Sequence, residues 1–362
     1  MVPAPERGGR VISLLLTGAA AAVVSAMLTG LIRQYARRTR LLDVPNVRSS
    51  HQAPTPRGGG LAIVIVTALA LGILGLSGAL ERHSALALAG ALPVAGAGWL
   101  DDRHGLGAGT RAAVQVACAS WTLLWLGTGG SAGSLEAGLP AGAVGLAIGV
   151  LGIVWLSNLY NFMDGIDGIA GGQAAATGGV MSFLLARGGD TGLALLAAVI
   201  AGASLGFLIW NWSPALIFMG DVGSGFLGFI FGAIAVAGAR EGAVPLLAWL
   251  PLFAVFLVDA TVTLLRRVGR GDRWYAAHRS HAYQRAVQSG LPHATVSGIV
   301  IGFGLAAGAA AGVALAAGQS EVLSAVAGTA LGGAAALYLL VERRRPMTQE
   351  PGPEGVPPGT KS

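Results

Sequence analysis

Residues 221–240 read DVGSGFLGFIFGAIAVAGAR: a carboxylate, a glycine-rich start, then an apolar run closed by arginine. Apolar residues fill every side of a helix drawn through 222–239, so no polar face is left for water. About twenty such residues span a bilayer. Ten more segments of this kind are legible, at roughly 11–32, 59–80, 84–100, 111–127, 140–157, 168–186, 191–210, 243–265, 294–316 and 320–341. The expected fold is all-α, a polytopic membrane bundle of about eleven helices. Residues 1–342 form one transmembrane domain, and 343–362 form a charged, Pro/Gly-rich disordered tail.

Composition agrees. Of the 362 residues 54% are hydrophobic and only 11% charged, about half the charged share of soluble domains. The 58 glycines suit close helix packing in lipid. Cys118 is alone in an apolar run, so there is no disulfide framework. The segment 11–32 has no convincing cleavage site and reads as a first span.

The net charge of +6 could suggest a nucleic-acid partner, but its distribution points to a membrane instead. Arg33, Arg37, Arg38, Arg40, Arg48 and Arg57 share one loop, Arg103 and Arg111 a second, and Arg266, Arg267, Arg270, Arg273, Arg279 and Arg285 a third. Arg343, Arg344, Arg345 and Lys361 lie in the tail. The positive-inside rule makes these cytoplasmic, with the N-terminus external and the C-terminus inside. Arg7, Arg10, Arg82, Arg187 and Arg240 stay outside. The acids follow the same parity: Asp101-Asp102, Asp164/Asp167 and Asp221 follow the third, fifth and seventh spans, and His278 and His281 the ninth. All these exits face the cytoplasm. A charged residue at mid-bilayer costs about 2.5–3.5 kcal/mol, so carboxylates gathered at one interface suggest a divalent cation and a phosphorylated substrate.

Each motif also has a plainer reading. Arg57-Gly58-Gly59-Gly60 can meet a phosphate, or be an ordinary positive loop. Asp101 and Asp102 can bind Mg²⁺, one serving as a base, or be solvated acids at a helix end. Asn158, Asn161, Asp164 and Asp167 crowd ten residues between spans; helix capping explains one of them, not four. Asn211, Phe218 and Asp221 lead into another span. There Asp221 caps a helix or holds a metal, and Phe218 stacks on a base or packs in the core. His278 and His281, flanked by Arg279 and Arg285, suit anion binding and proton transfer better than zinc. His51, His83, His104 and His293 lack such a setting. Asp259, inside the ninth span, is either a structural ion-pair member or the edge of the site.

From about Asp43 to Arg285 these motifs, in this order, resemble the polyprenyl-phosphate N-acetylhexosamine-1-phosphate transferase family. The resemblance implies transfer of an N-acetylated sugar 1-phosphate from a UDP-sugar to undecaprenyl phosphate with release of UMP. This step initiates lipid-linked cell-surface polysaccharide at the cytoplasmic face of a bacterial inner membrane. It implies Mg²⁺, or Mn²⁺ in its place, and members that resemble dimers, hence a homodimer. It assigns Asp101 and Asp102 as the catalytic pair and Asp221, with Asp102, to the metal. It assigns Asn158, Asn161, Asp164, Asp167, Asn211, Phe218, Arg57 and Arg279 to substrate, and His278 and His281 to catalysis or diphosphate binding. The peptidoglycan branch has adjacent histidines and a lysine after its Asp pair. This chain has His278-Arg279-Ser280-His281 and Arg103-His104, closer to O-antigen-type initiating enzymes. The pentapeptide transferase is therefore the alternative, and a secondary transporter a distant third. Sugar choice is expected to lie around Trp274–Arg285: exchanging Asp272–Arg285 with a relative of different specificity should change the donor accepted, and an unchanged preference would reject the assignment.

Overall fold

The computed structural model describes residues 7–44, 53–127, 142–272 and 278–347. Its helices are α1 (Arg7–Arg38), α2 (Leu61–Leu76), α3 (Arg82–Leu88), α4 (Ala91–His104), α5 (Ala108–Trp125), α6 (Gly142–Phe162), α7 (Ile169–Arg187), α8 (Thr191–Asn211), α9 (Asp221–Arg240), α10 (Leu250–Gly269), α11 (Ala282–Gln288), α12 (His293–Ala316) and α13 (Ser320–Arg344). A 3₁₀ turn, Leu246–Trp249, leads into α10. The only sheet among the described residues is a two-stranded antiparallel ladder, β1 (Leu42–Asp43) with β2 (Thr55–Pro56).

Each of the eleven apolar segments is helical. Among the described residues nine helical stretches are long and apolar enough to cross a membrane; α2 is apolar but shorter, and α5 is the other segment outside that set. This is a polytopic helical bundle. The expected third span is broken into α3 and α4. Pro93 has no N–H for the carbonyl of Ala89, and its ring crowds that carbonyl, so the chain passes through Ala89-Gly90 before continuing. Arg343 and Arg344, set in the tail by the sequence reading, belong to α13, and Arg345 Nη1 donates to the carbonyl of Gln288 at 2.7 Å. Residues 348–362, Arg48, His51 and Trp274 lie outside the described residues.

Helix α9 is the core: Val222 through Ala239 are all buried. Phe229, Phe231 and the Tyr160 ring of α6 sit at its centre, with Phe256 edge-on to Tyr160 at 5.2 Å. Glycine makes the close packing. A Cβ at Gly206 of α8 would enter the backbone of α1 at Ala22 and Ala26, and one at Gly228 of α9 would enter α6 at Leu156 and Ser157. The turns after α2, α7 and α9 meet at one end, where Arg240 lies 2.8 Å from Glu241 and 3.8 Å from Glu81. The polar motifs gather at the other end.

Gly206→Val should cost at least ~1–3 kcal/mol through overpacking and lose the monodisperse peak in size-exclusion chromatography. Gly298→Ala on α12, whose added Cβ meets nothing within 4 Å, should leave that peak unchanged.

Candidate active site

The site is built around the N-terminus of α9. Its first N–H groups have no helical partner, and the preceding residue, Gly220, has no side chain to cap them. The cap comes from α4. Asp102 Oδ1 accepts from the N–H of Asp221 at 3.0 Å, and Oδ2 accepts from that of Val222 at 3.1 Å. Arg57 Nε donates to Oδ1 at 3.1 Å, and the Asp102 side chain is fully buried. Close approach requires glycine. Gly220 has φ 77°, and a Cβ there would lie 2.6 Å from Asp102 Oδ2; one at Gly98 would lie 2.5 Å from the carbonyl oxygen of Asp221. Pairing of Phe218 N–H with the Pro56 carbonyl, and of Gly59 and Gly60 N–H with those of Phe218 and Met219, seats the Arg57 loop on this turn.

Asp101 and Asp221 face a common cation. Arg111 Nη1 of α5 lies 2.8 Å from Asp101 Oδ2 and 2.7 Å from Asp221 Oδ2. Asp101 Oδ1 also accepts from the N–H of Leu106. In front lies a cavity of about 30 Å³, room for one water or ion, with Arg111, Gln115, Asn158, Asn161 and Asp221 in its wall. Asn158 Nδ2 donates to Gln115 Oε1 at 2.8 Å, and Asn161 Nδ2 to Ser224 Oγ at 2.9 Å. Arg111 and Asn158 also border a second cavity of about 720 Å³, which runs past Ala112, Leu151, Val154, Trp155, Phe162 and Leu264.

No three His, Cys, Asp or Glu side chains surround a common point among the described residues. The donor set nonetheless fits a hard divalent ion. Two carboxylate oxygens already share one positive group, and the Asn161 amide borders the same space. Asp102, expected among the ligands, has its oxygens occupied by two backbone N–H groups and Arg57.

The remaining expected residues fall into three groups. Asp164 lies within reach of the site's charges: burial, then the carboxylates of Asp221, Asp102 and Asp167, push its carboxyl well above the usual range. Asp167, Asn211 and Phe218 pin the loops. Asp167 Oδ2 accepts from the N–H of Ala215 at 3.1 Å and lies 3.4 Å from His293 Nδ1. Burial raises its carboxyl, but His293 and the Ala215 N–H outweigh that and hold it below the usual range. Asn211 accepts from the N–H of Gly168 and donates to the Ile217 carbonyl; Phe218 contributes its backbone. His278 and His281 stack on each other at 4.8 Å behind Phe162, and the Arg279 side chain is exposed. Sequence reasoning missed Arg111, counted only as a positive-inside arginine, along with Gln115 and His293. Arg111 and Gln115 are four apart on one face of an otherwise apolar helix, a pattern that could have revealed them.

The model of the family described as "Glycosyl transferase family 4" matches residues 84–239. The chain is 35% identical over 316 residues to the decaprenyl-phosphate N-acetylglucosaminephosphotransferase of Mycolicibacterium smegmatis, covering 77% of each protein. It is 28% identical to the probable undecaprenyl-phosphate N-acetylglucosaminyl 1-phosphate transferase of Bacillus subtilis, covering 78% of this chain and 80% of that protein. It is 26% identical to the undecaprenyl-phosphate alpha-N-acetylglucosaminyl 1-phosphate transferase of Escherichia coli K12, covering 72% of each.

A carboxyl raised on folding binds its proton more tightly in the folded state. Its contribution to stability is therefore full at low pH and is lost as pH climbs through the raised value. Asp164→Asn should accordingly raise Tm by roughly 2 °C or more at pH 8 and by less at pH 5, read by thermal unfolding in detergent. An equal gain at both pH values would contradict the raised carboxyl. Asp167, held low, should do the reverse: Asp167→Asn costs stability at pH 7, and the cost shrinks as the wild-type carboxyl protonates in acid.

Proposed function

The chain belongs to glycosyl transferase family 4, and from that premise we propose that it moves N-acetylglucosamine 1-phosphate from its UDP-sugar to a polyprenyl phosphate. UMP is released, and a lipid-linked glycan begins. The observation that carries this reading is the shared wall of the two cavities. Arg111 and Asn158 border both the small polar cavity, beside the carboxylates, and the larger apolar one between α5, α6 and α10. An ion in the first, with the diphosphate at its mouth, and an isoprenoid chain in the second would bring the donor and acceptor phosphates together at Arg111. The names of the relatives support a polyprenyl phosphate acceptor and the N-acetylglucosamine donor.

The chemistry follows from the residues. Asp101, one turn from the end of α4 and only 12% exposed, is the carboxylate available to orient the acceptor phosphate and take a proton from it. A divalent ion held by Asp101 and Asp221 would supply positive charge to the diphosphate and the departing UMP. Arg111, released from the two carboxylates, would be free to meet phosphate oxygens. Asn158 and Asn161 are fixed by Gln115 and Ser224, so they can hold the substrate without reorganising. Asp102 and Arg57 keep the end of α9 in place beneath these groups. Phosphoryl transfer depends mainly on positioning and electrostatics, and this arrangement provides both.

In this reading the carboxylate end faces the cytoplasm of a bacterial inner membrane, in keeping with the arginine distribution. Asp101 in the last turn of α4 and Asp221 at the first residue of α9 lie at helix ends. A transport site would be expected near mid-span.

The test is UMP release by purified protein with undecaprenyl or decaprenyl phosphate, Mg²⁺ and a panel of UDP-N-acetyl sugars. Release is expected with UDP-N-acetylglucosamine and its loss on chelation. Asp221→Asn should lower kcat about 10²–10³-fold, and Arg111→Ala should lower kcat/KM for the lipid by ~10-fold or more. No release with any sugar, from folded protein, would reject the reading.

A further inference from the structure

Asp259 lies ten residues into α10, in a span otherwise apolar at this level, and is 4% exposed. A carboxylate at such a place carries a large desolvation cost unless donors surround it. Four do. Oδ1 accepts from the N–H of Ala282 at 2.8 Å and from Thr263 Oγ1 at 3.1 Å, and lies 3.3 Å from His281 Nδ1. Oδ2 accepts from the N–H of Tyr283 at 2.9 Å. The N-terminus of α11 is thus capped by a different helix, while its own N-cap residue, His281, makes no side-chain cap bond.

We infer that Asp259 is a positioning residue: it fixes the tautomer of His281 and seats the His278–His281 loop against the loop that carries Asp164. This rests on the proposed transfer reaction and on the role in it that the family resemblance implies for His278 and His281. The tautomer follows from the donor count. An ionised carboxylate only accepts, so His281 Nδ1 carries the proton and Nε2 is left as the basic nitrogen. The seating follows from the next residues. Tyr283 Oη donates to the carbonyl of Phe162 at 2.9 Å, and Tyr283 and Gln284 crowd Gly165, where any Cβ would strike them. His281 stacks on Phe162 at 6.2 Å and on His278 at 4.8 Å. Phe162 borders the large apolar cavity. A chain of contacts thus runs from α10 through the histidine loop to the wall of the site. The far side of the loop is held separately: Arg285 Nε donates to the Ser280 carbonyl at 3.1 Å, and its Nη1 pairs with Glu342 of α13.

The experiment pairs a turnover readout with one that needs no turnover. In ¹⁵N-histidine-labelled wild-type protein, the His281 signals, assigned by their loss in His281→Gln, should report Nδ1–H and a bare Nε2. In Asp259→Asn they should move to a mixture of tautomers. Steady-state UMP release by Asp259→Asn should show kcat lowered about 10²-fold, with KM for the UDP-sugar changed by less than ~3-fold. In the His281→Gln background, Asp259→Asn should add little further loss, because it acts through the missing imidazole. Losses that multiply in the double variant, or His281 signals that are the same with and without Asp259, would overturn the inference and leave Asp259 as a helix cap alone. A wild-type protein that released no UMP would reject the transfer reaction, while the histidine signals would still decide the Asp259–His281 pairing.

Discussion

The contact between the Asp102 carboxylate and the first two N–H groups of α9 is what the rest of the site depends on. Where N–H groups are buried away from water, an uncapped helix start leaves unsatisfied donors that cost roughly several kcal/mol. A capping side chain from α4 removes that cost and fixes α4 to α9 at the same time. The carboxylate's own charge is balanced by Arg57, so the Arg57 loop is drawn in as well. The glycines at 98 and 220 follow, since the groups could not approach with a Cβ between them. Asp101 precedes Asp102 in the chain, and Asp221 is itself one of the capped residues. Their shared distance to Arg111 is therefore inherited from the cap.

Polar residues near the site divide into those that face the cavity and those that hold its loops. Asp221, Asn158 and Asn161 face the cavity. Asp102, Asp167 and Asn211 each bind backbone groups on a neighbouring segment. A membrane protein has few other means of fixing loops at its surface, because the apolar driving force that packs helices in water is absent in lipid. Hydrogen-bonded carboxylates and amides do that work here, and so they resemble catalytic groups when read from sequence.

The fold was largely legible because each hydrophobic segment is long relative to its turns, and helix is the natural way to satisfy its backbone in lipid. The break at Pro93 was not anticipated because the residues on both sides are equally apolar. The convergence of Asp101, Asp102, Asn161 and Asp221 was legible because each polar motif sits where an apolar segment ends, and the sequence reading set those ends on one side. Which carboxylate caps and which faces the cavity was not legible, since that depends on the rotation of α4 about its axis. Arg111 was hidden by its company, one arginine among many that a charge rule already explained. Asp259 had two readings because three of its four partners lie more than twenty residues on, where no local pattern brings them together.

The burial of α9 from Val222 to Ala239 has a further consequence. Among the described residues this helix is apolar or glycine along almost its whole length, from the carboxylate end to the end where Glu81 meets Arg240. On the proposed function, a sugar joined to a lipid at the carboxylate end finds no polar surface along α9 to follow and stays on the leaflet where it was joined. It would have to depart sideways into the bilayer.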